Sequence, residues 1–133
     1  MKGKIMIVDD EPHNVRLAKR ILEREGYEVR EAYNTQEAID ALSGFEVDII
    51  LLDIMMPGRP PMDVIDWLRQ QGKKTKVFYF SALKSQNEAT RRVTRNLISD
   101  TDKDFVVGYI EKPFDNNDLL KRVSDAFGGK EDA

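Results

Sequence analysis

Ile49-Ile50-Leu51-Leu52-Asp53-Ile54-Met55-Met56-Pro57-Gly58 places four branched apolar residues directly before an aspartate and ends in a turn-forming pair. A short apolar run bounded by a turn signal is typical of a strand that is buried on both faces. Asp53 then lies at the carboxyl end of that strand, where open parallel α/β sheets bind their ligands. This stretch alone leaves two roles open, because aspartate is also a common turn residue that local N–H groups can satisfy.

Composition indicates a single globular domain. The chain has 133 residues, of which 41% are hydrophobic and 34% charged, so we expect one domain over residues 1–133 with frayed ends at 1–3 and 128–133. The absence of cysteine excludes disulfides and thiolate metal sites. A net charge of −3 argues against direct nucleic-acid binding. Since no apolar run approaches the ~18 residues of a membrane span and no signal peptide is evident, we expect a cytoplasmic protein that does not bind membranes.

Strand and helix patterns alternate five times along the chain. Apolar runs predict strands over 4–8, 28–32, 47–52, 76–80 and 105–110. Each run precedes a segment with helical spacing, the helices being expected over about 12–25, 35–43, 62–71, 87–98 and 116–127. This order predicts an α/β domain of three layers, with one doubly wound parallel sheet of five strands and helices on both faces.

Polar residues follow four of the five predicted strands. Asp9 and Asp10 come after the first, Asp53 after the third, Ser81 after the fourth, and Lys112 after the fifth. These side chains are expected to meet, because the carboxyl ends of parallel strands share one edge of the sheet. One acid before Pro12 would be enough to cap the first helix, so the additional acids need another explanation.

Three neighbouring carboxylates repel one another, and a hard divalent cation with oxygen ligands removes that conflict. Mg²⁺ is the usual ion where phosphate is handled. Lys112 offers a compact point charge for a phosphoryl oxygen, and Ser81 can hydrogen bond another. Asp53 is then an oxygen nucleophile directed at phosphorus. The set predicts an acyl phosphate on Asp53.

Four motifs in order carry a resemblance to a known family. They are Ile7-Val8-Asp9-Asp10-Glu11-Pro12, Leu52-Asp53-Ile54-Met55-Met56-Pro57-Gly58, Ser81-Ala82 and Tyr109-Ile110-Glu111-Lys112-Pro113-Phe114. Together they resemble the receiver domain of two-component response regulators, the CheY-like superfamily, over essentially the whole chain. The resemblance implies a flavodoxin-like fold with strand order 2-1-3-4-5.

The resemblance also implies the roles of individual residues. Asp53 is the implied phosphoacceptor. The implied Mg²⁺ site consists of Asp10 as a direct ligand, Asp9 acting directly or through water, Asp53, and the backbone carbonyl of Met55. The implied phosphate-contacting residue is Lys112, and the implied switch residues are Ser81 and Tyr109.

The function implied is phosphorelay signal transduction. A phosphohistidine on a histidine kinase or histidine phosphotransfer protein would supply the phosphoryl group to Asp53. A protein-interaction surface would then change its affinity for a downstream effector protein or for an output domain missing from this sequence. Beyond this self-phosphotransfer and autodephosphorylation, no enzymatic activity is expected.

The sequence departs from the family pattern before the fifth strand. Thirty residues lie between Ser81 and Lys112, more than the family usually has. Asp102-Lys103-Asp104-Phe105 stands where a small-residue turn is common. These differences predict an extended or altered fourth-helix region between residues 84 and 104.

Three other functions compete with this interpretation. One is a receiver-like interaction module that phosphorylation does not regulate. A phosphatase with an aspartyl nucleophile would need a second acid two positions after Asp53, where Met55 stands. A flavin-binding domain would need a phosphate loop after the first strand, but Asp9-Asp10-Glu11 would repel that phosphate.

Overall fold

The structure is a computed structural model that describes residues 2–81 and 105–128. The side chain of Ser81 lies outside this description, although its backbone belongs to a strand. The helix predicted over 87–98, and with it the altered fourth-helix region, also lies outside the described residues.

Five parallel strands form one sheet in the order β2-β1-β3-β4-β5, as the resemblance implied. The strands are β1 Lys4–Val8, β2 Glu28–Ala32, β3 Ile49–Leu52, β4 Lys76–Ser81 and β5 Val106–Glu111. The described helices are α1 Pro12–Arg24, α2 Thr35–Leu42, α3 Met62–Gln70 and α4 Asn116–Ala126. The predicted fold class is confirmed.

Alternating residues of the central strands supply two separate cores. Ile5 and Ile7 of β1 belong to a core with residues of α1 and α4, whereas Met6 and Val8 belong to a core with residues of α2 and α3. All four residues of β3 are buried. Successive side chains of a strand point to opposite faces, so a continuous apolar run is what a sheet covered on both faces requires.

Strand β3 begins at Ile49, two residues later than the sequence pattern predicts. The carbonyl oxygen of Val47 accepts a hydrogen bond of 3.0 Å from the Thr75 hydroxyl. Ladder bonding begins at the next residue, where the Asp48 N–H donates to the carbonyl of Lys4 over 2.8 Å. The apolar pattern therefore includes a residue that packs in the core without pairing as a strand.

Helices α1 and α2 differ in how their first turns are capped. Asn34 caps α2 by accepting the N–H of Glu37 at 2.8 Å, as its position predicts. At α1, Glu11 occupies the cap position without making a side-chain capping bond. Its N–H donates instead to Oδ1 of Asp9 over 2.9 Å. Asp9 therefore organises the start of α1 through Oδ1, and its Oδ2 is not used by the helix.

The first described residues are attached to the sheet. The Lys2 N–H donates to the carbonyl of Gly26 over 2.9 Å, and the carbonyl of Gly3 accepts the Glu28 N–H at 2.8 Å. These bonds extend the pairing of β1 with β2 toward the amino terminus, in the segment where fraying was expected.

Candidate functional site

Main-chain hydrogen bonds place two of the predicted acids side by side at the carboxyl edge of the sheet. The Asp9 N–H donates to the carbonyl of Ala32 over 3.1 Å, and the Asp53 N–H donates to the carbonyl of Val8 over 2.9 Å. Each bond continues a strand pairing by one residue beyond the strand's end. The backbones of Asp9 and Asp53 are therefore held by the sheet.

Lys112 reaches this pair from the end of β5. Its Nζ lies 2.6 Å from Oδ2 of Asp9 and 3.5 Å from Oδ2 of Asp53. The ammonium group also lies 5.0 Å from the ring centroid of Phe80, a separation at which a cation is attracted to an aromatic face. Lys112 is only 8% exposed, and the following Lys112–Pro113 peptide bond is cis. The predicted convergence of Asp53 with Lys112 is present.

The third acid stands at the solvent side of the cluster. Carboxylate oxygens of Asp9, Asp10 and Asp53 lie within 4.8 Å of one another. Asp9 and Asp53 are buried, whereas Asp10 is exposed. The pocket thus contains three carboxyl groups and one ammonium group, that of Lys112. When the carboxyl groups are ionised, the pocket has an excess of negative charge that a cation would balance.

The loop after β3 orients the carboxylate of Asp53. The Met55 N–H donates to Oδ1 over 2.8 Å, which leaves Oδ2 on the side of Lys112. The Met55 side chain is 56% exposed, while Met56 is buried in the core beneath α2 and α3. Met55 therefore contacts Asp53 through its backbone N–H, while its side chain faces solvent.

Burial raises the pKa of Asp53 from its ordinary value of 3.8 to about 6. Loss of solvation is the largest cause, and the neighbouring charge of Asp9 adds to it. The Met55 N–H and the Lys112 ammonium act in the opposite direction, because both favour the carboxylate. Additional positive charge in the pocket would therefore stabilise the ionised carboxylate of Asp53.

The residues present fit a hard divalent cation. Every side-chain donor in the cluster is a carboxylate oxygen, which is the donor type preferred by Mg²⁺, Mn²⁺ and Ca²⁺. The described residues bring no histidine or cysteine into the group, so its chemistry does not favour zinc or copper.

Replacing Asp53 by asparagine is expected to stabilise the metal-free protein by roughly 1–3 kcal/mol at neutral pH. The folded-state pKa lies above the ordinary value, so above pH 6 the folded protein carries a carboxylate that burial penalises. As pH falls through 6, the folded protein takes up a proton before the unfolded chain does, and the penalty disappears. Urea unfolding with EDTA should therefore show an advantage for Asp53→Asn that shrinks from pH 7 to pH 4. A variant less stable than wild type at pH 7 would contradict this.

The predicted switch residues are placed only in part. Ser81 is the last residue of β4, and its backbone pairs with Glu111, next to Lys112. Tyr109 pairs with Tyr79 across the same two strands, is half-buried, and packs against the core beneath α2 and α3.

The aromatic contacts of Lys112 were not predicted from the sequence. Phe80 lies beneath the Lys112 ammonium group, and its ring packs against Phe114 with centroids 5.5 Å apart. Phe80 directly precedes the motif residue Ser81, and Phe114 is the last residue of the fourth motif. That adjacency was the available signal, but which face of the ring the lysine would cover depends on packing.

The fold and site define a class: an α/β domain of flavodoxin-like fold with an acidic pocket and a buried lysine at the carboxyl edge of its sheet. The model of the family described as response regulator receiver domain matches residues 5–124. The chain therefore belongs to the receiver domain family of two-component response regulators.

Similar proteins agree with this assignment. The chain is 34% identical over 122 residues to an uncharacterized transcriptional regulatory protein, YkoG, from Bacillus subtilis (strain 168). That match covers 92% of the chain and 50% of the relative, so the chain spans about half the length of that protein.

Solved structures show the same fold. A CheY-like response regulator receiver domain protein from Methanospirillum hungatei JF-1 is 32% identical with a TM-score of 0.76, and the match covers all of both chains. The response regulator TrrA from Thermotoga maritima, solved in complex with Mg²⁺-BeF, is 28% identical with a TM-score of 0.73, covering 93% of this chain and 98% of that one. In the described part of this chain, no helix has the length and apolar character needed to cross a membrane.

Proposed function

We propose that this chain is a Mg²⁺-dependent phosphoacceptor that takes a phosphoryl group onto Asp53 from a phosphohistidine and thereby switches a protein-interaction surface. One observation carries the proposal. Oδ2 of Asp53 faces the buried Lys112 ammonium at 3.5 Å, in a pocket shared with the carboxylates of Asp9 and Asp10. Nucleophile, phosphate-binding cation and metal-binding oxygens are thus within reach of one transferred group.

The chain's own residues account for the transfer. An oxygen of Asp53 attacks phosphorus, a P–O bond forms, and the P–N bond to the donor imidazole breaks with its electron pair returning to nitrogen. The Met55 N–H holds Oδ1 in place, so Oδ2 is the oxygen that presents a lone pair toward the phosphoryl group. The Lys112 ammonium stabilises negative charge on a phosphoryl oxygen.

Bound Mg²⁺ would neutralise charge on the phosphoryl oxygens. Asp10 would hold it directly, Asp9 directly or through water, together with Asp53 and the backbone carbonyl of Met55. Asp10 is suited to this because it is the exposed member of the cluster and forms no ion pair among the described residues. Asp9 is already engaged by Lys112 at 2.6 Å, which favours the water-mediated role for it.

Phosphorylation would redistribute the contacts of Lys112. The new group adds negative charge and acceptor oxygens beside Asp53, and these compete with Asp9 for the ammonium. In the proposed switch, Lys112 and Ser81 move toward the phosphoryl group and Tyr109 follows inward. Tyr109 is half-buried, so an inward movement would remove more of its ring from solvent.

The partners follow from the same proposal. The donor is a histidine kinase or a histidine phosphotransfer protein, and the recipient is a downstream effector protein or an attached output domain. The relative of about twice this length is described as a transcriptional regulatory protein, which supports an output of that kind. The domain's own chemistry is limited to self-phosphotransfer and autodephosphorylation.

A phosphatase is not supported by the site. The position two after Asp53 is Met55, whose thioether cannot act as a general acid. Turnover of a phosphomonoester by the purified protein would revive this alternative.

Beryllofluoride with Mg²⁺ tests the proposal against an interaction module that phosphorylation does not regulate. Beryllofluoride occupies the place of a phosphoryl group on a carboxylate, so we expect the two together to raise the melting temperature more than either alone. A ligand at 100 times its dissociation constant stabilises a fold by about 2.7 kcal/mol. The Asp53→Asn variant is the matched control and should show no cooperative gain. An equal gain in wild type and variant, or none in either, would contradict the proposal.

A further inference from the structure

A second concave site lies at the opposite edge of the sheet. A groove of about 640 Å³ is formed where β1, β3 and β4 begin and α4 ends. The length of a five-residue strand, roughly 15 Å, separates it from the Asp53 pocket. Its volume falls within the range of small-molecule sites, about 300–1,000 Å³. Nothing in the proposed phosphoryl chemistry uses it.

Lysines from two separate segments line this groove. Lys2 and Lys4 come from the start of the chain, and three others come from the turn that leads into β4 and its first residue: Lys73, Lys74 and Lys76. Only two acids, Glu46 and Asp48, line it as well. Five positive and two negative groups leave a local excess of three positive charges, although the whole chain has a net charge of −3. The groove therefore favours an anion.

Three of these five lysines already make polar contacts, which limits the lysines available to a ligand. Lys73 pairs with Glu46 at 2.8 Å, Lys76 donates to the carbonyl of Ala126, and Lys2 lies 3.5 Å from Glu25. Lys74 is exposed and has no ion pair within the described ranges 2–81 and 105–128. A ligand would use Lys74 without breaking an existing contact and would share Lys73 with an exposed acid.

Aromatic side chains form another part of the wall. The Phe45 ring already has two cations over it, the Lys4 ammonium at 5.2 Å and the Arg30 guanidinium at 4.2 Å from its centroid. The half-buried Trp67 also lines the groove and has no cation over its ring among the described residues. Among the described residues the indole N–H of Trp67 has no hydrogen-bond partner. A buried indole N–H usually has one, so the half-buried indole in the lining of this groove offers a donor and an aromatic surface to a bound molecule.

We propose that this groove binds a small organic anion that combines an aromatic ring with a phosphate chain, as a nucleotide does. The ring would contact the indole of Trp67, and the phosphates would meet Lys73 and Lys74. An extended acidic peptide is a poorer fit, because a groove of about 640 Å³ has the volume of a small-molecule site.

The fluorescence of Trp67 can report binding in the groove, because Trp67 is the only tryptophan of the chain. ATP is titrated into the protein in EDTA at low salt while tryptophan fluorescence is followed, with N-acetyltryptophanamide correcting for absorption by the nucleotide. EDTA keeps the Asp53 pocket free of metal, so the result is independent of the proposed function. A saturable change that weakens with added salt is expected. No saturable change up to millimolar ATP would overturn the proposal.

Variants and other anions make the test specific. The double change Lys73→Gln and Lys74→Gln should weaken ATP binding at least about 10-fold. As a control, Arg20→Gln removes one positive charge from an exposed position of α1 and should not change ATP binding. Lys74→Glu replaces the double variant if that one fails to fold. Equal binding by wild type and the lysine variants would overturn the assignment of the groove. Tripolyphosphate binding as tightly as ATP, or polyglutamate binding more tightly, would overturn the nucleotide class.

Discussion

Replacing Lys112 by methionine is expected to lower the free energy of unfolding by about 3–5 kcal/mol in metal-free buffer at neutral pH. The substitution keeps much of the side-chain volume and removes the charge. Asp9, which is fully buried and 2.6 Å from the ammonium, then loses its counter-ion, and Asp53 loses a contact at 3.5 Å. An uncompensated buried carboxylate is among the most destabilising changes a fold can suffer.

Urea unfolding in EDTA measures this effect. Lys121→Met on α4 is the matched control, because Lys121 is exposed and should change stability by no more than about 0.5 kcal/mol. Adding Asp9→Asn to Lys112→Met should restore part of the loss, since the double variant no longer buries the unpaired Asp9 charge. A Lys112→Met protein as stable as the control would show that the buried ion pair does not stabilise the fold.

Replacing Asp10 by asparagine is expected to weaken Mg²⁺ binding by about 10-fold or more. Replacing a residue that only hydrogen bonds to a metal ligand typically lowers metal affinity 10–100-fold. Asp10 is the proposed direct ligand, so its replacement should cost at least as much. Stability without metal should be almost unchanged, because Asp10 is exposed, in contrast to Asp9 and Lys112. Removing one of three mutually repelling charges should raise the free energy of unfolding slightly.

Isothermal titration with Mg²⁺ measures the affinity, and Glu23→Gln on the exposed side of α1 is the control for loss of one negative charge. A parallel loss of phosphoryl uptake at low Mg²⁺, recovered at high Mg²⁺, would link the metal to the chemistry. Mg²⁺ affinity of Asp10→Asn equal to that of Glu23→Gln would remove Asp10 from the metal site.

The fold class could be predicted because strand and helix patterns alternate along the chain, whereas the strand order was implied only by the family resemblance. Four apolar residues before Asp53 can form a strand buried on both faces, and the four described helices begin where the helical spacing predicts. Since parallel strands share an edge, the meeting of Asp9, Asp53 and Lys112 followed from topology alone.

The partners within the site could not be predicted in the same way. Lys112 lies 103 residues from Asp9 in sequence, and only the packed structure shows that its shorter contact is to Asp9 and not to Asp53. The burial of Asp9 and the exposure of Asp10 likewise depend on the Asp9 N–H continuing the pairing with β2. The lysine groove combines segments near residues 2, 46 and 74 that no local pattern connects.

Intact mass after incubation with acetyl phosphate and Mg²⁺ tests most directly whether Asp53 is the phosphoacceptor. In Asp53→Asn an amide nitrogen replaces one carboxylate oxygen, so the variant keeps an oxygen that can accept the Met55 N–H and loses the nucleophilic carboxylate. We expect wild type to gain the mass of one phosphoryl group with Mg²⁺ and to show no gain when EDTA replaces Mg²⁺, and we expect Asp53→Asn to gain none. An equal gain in both proteins, or none in wild type, would contradict this expectation.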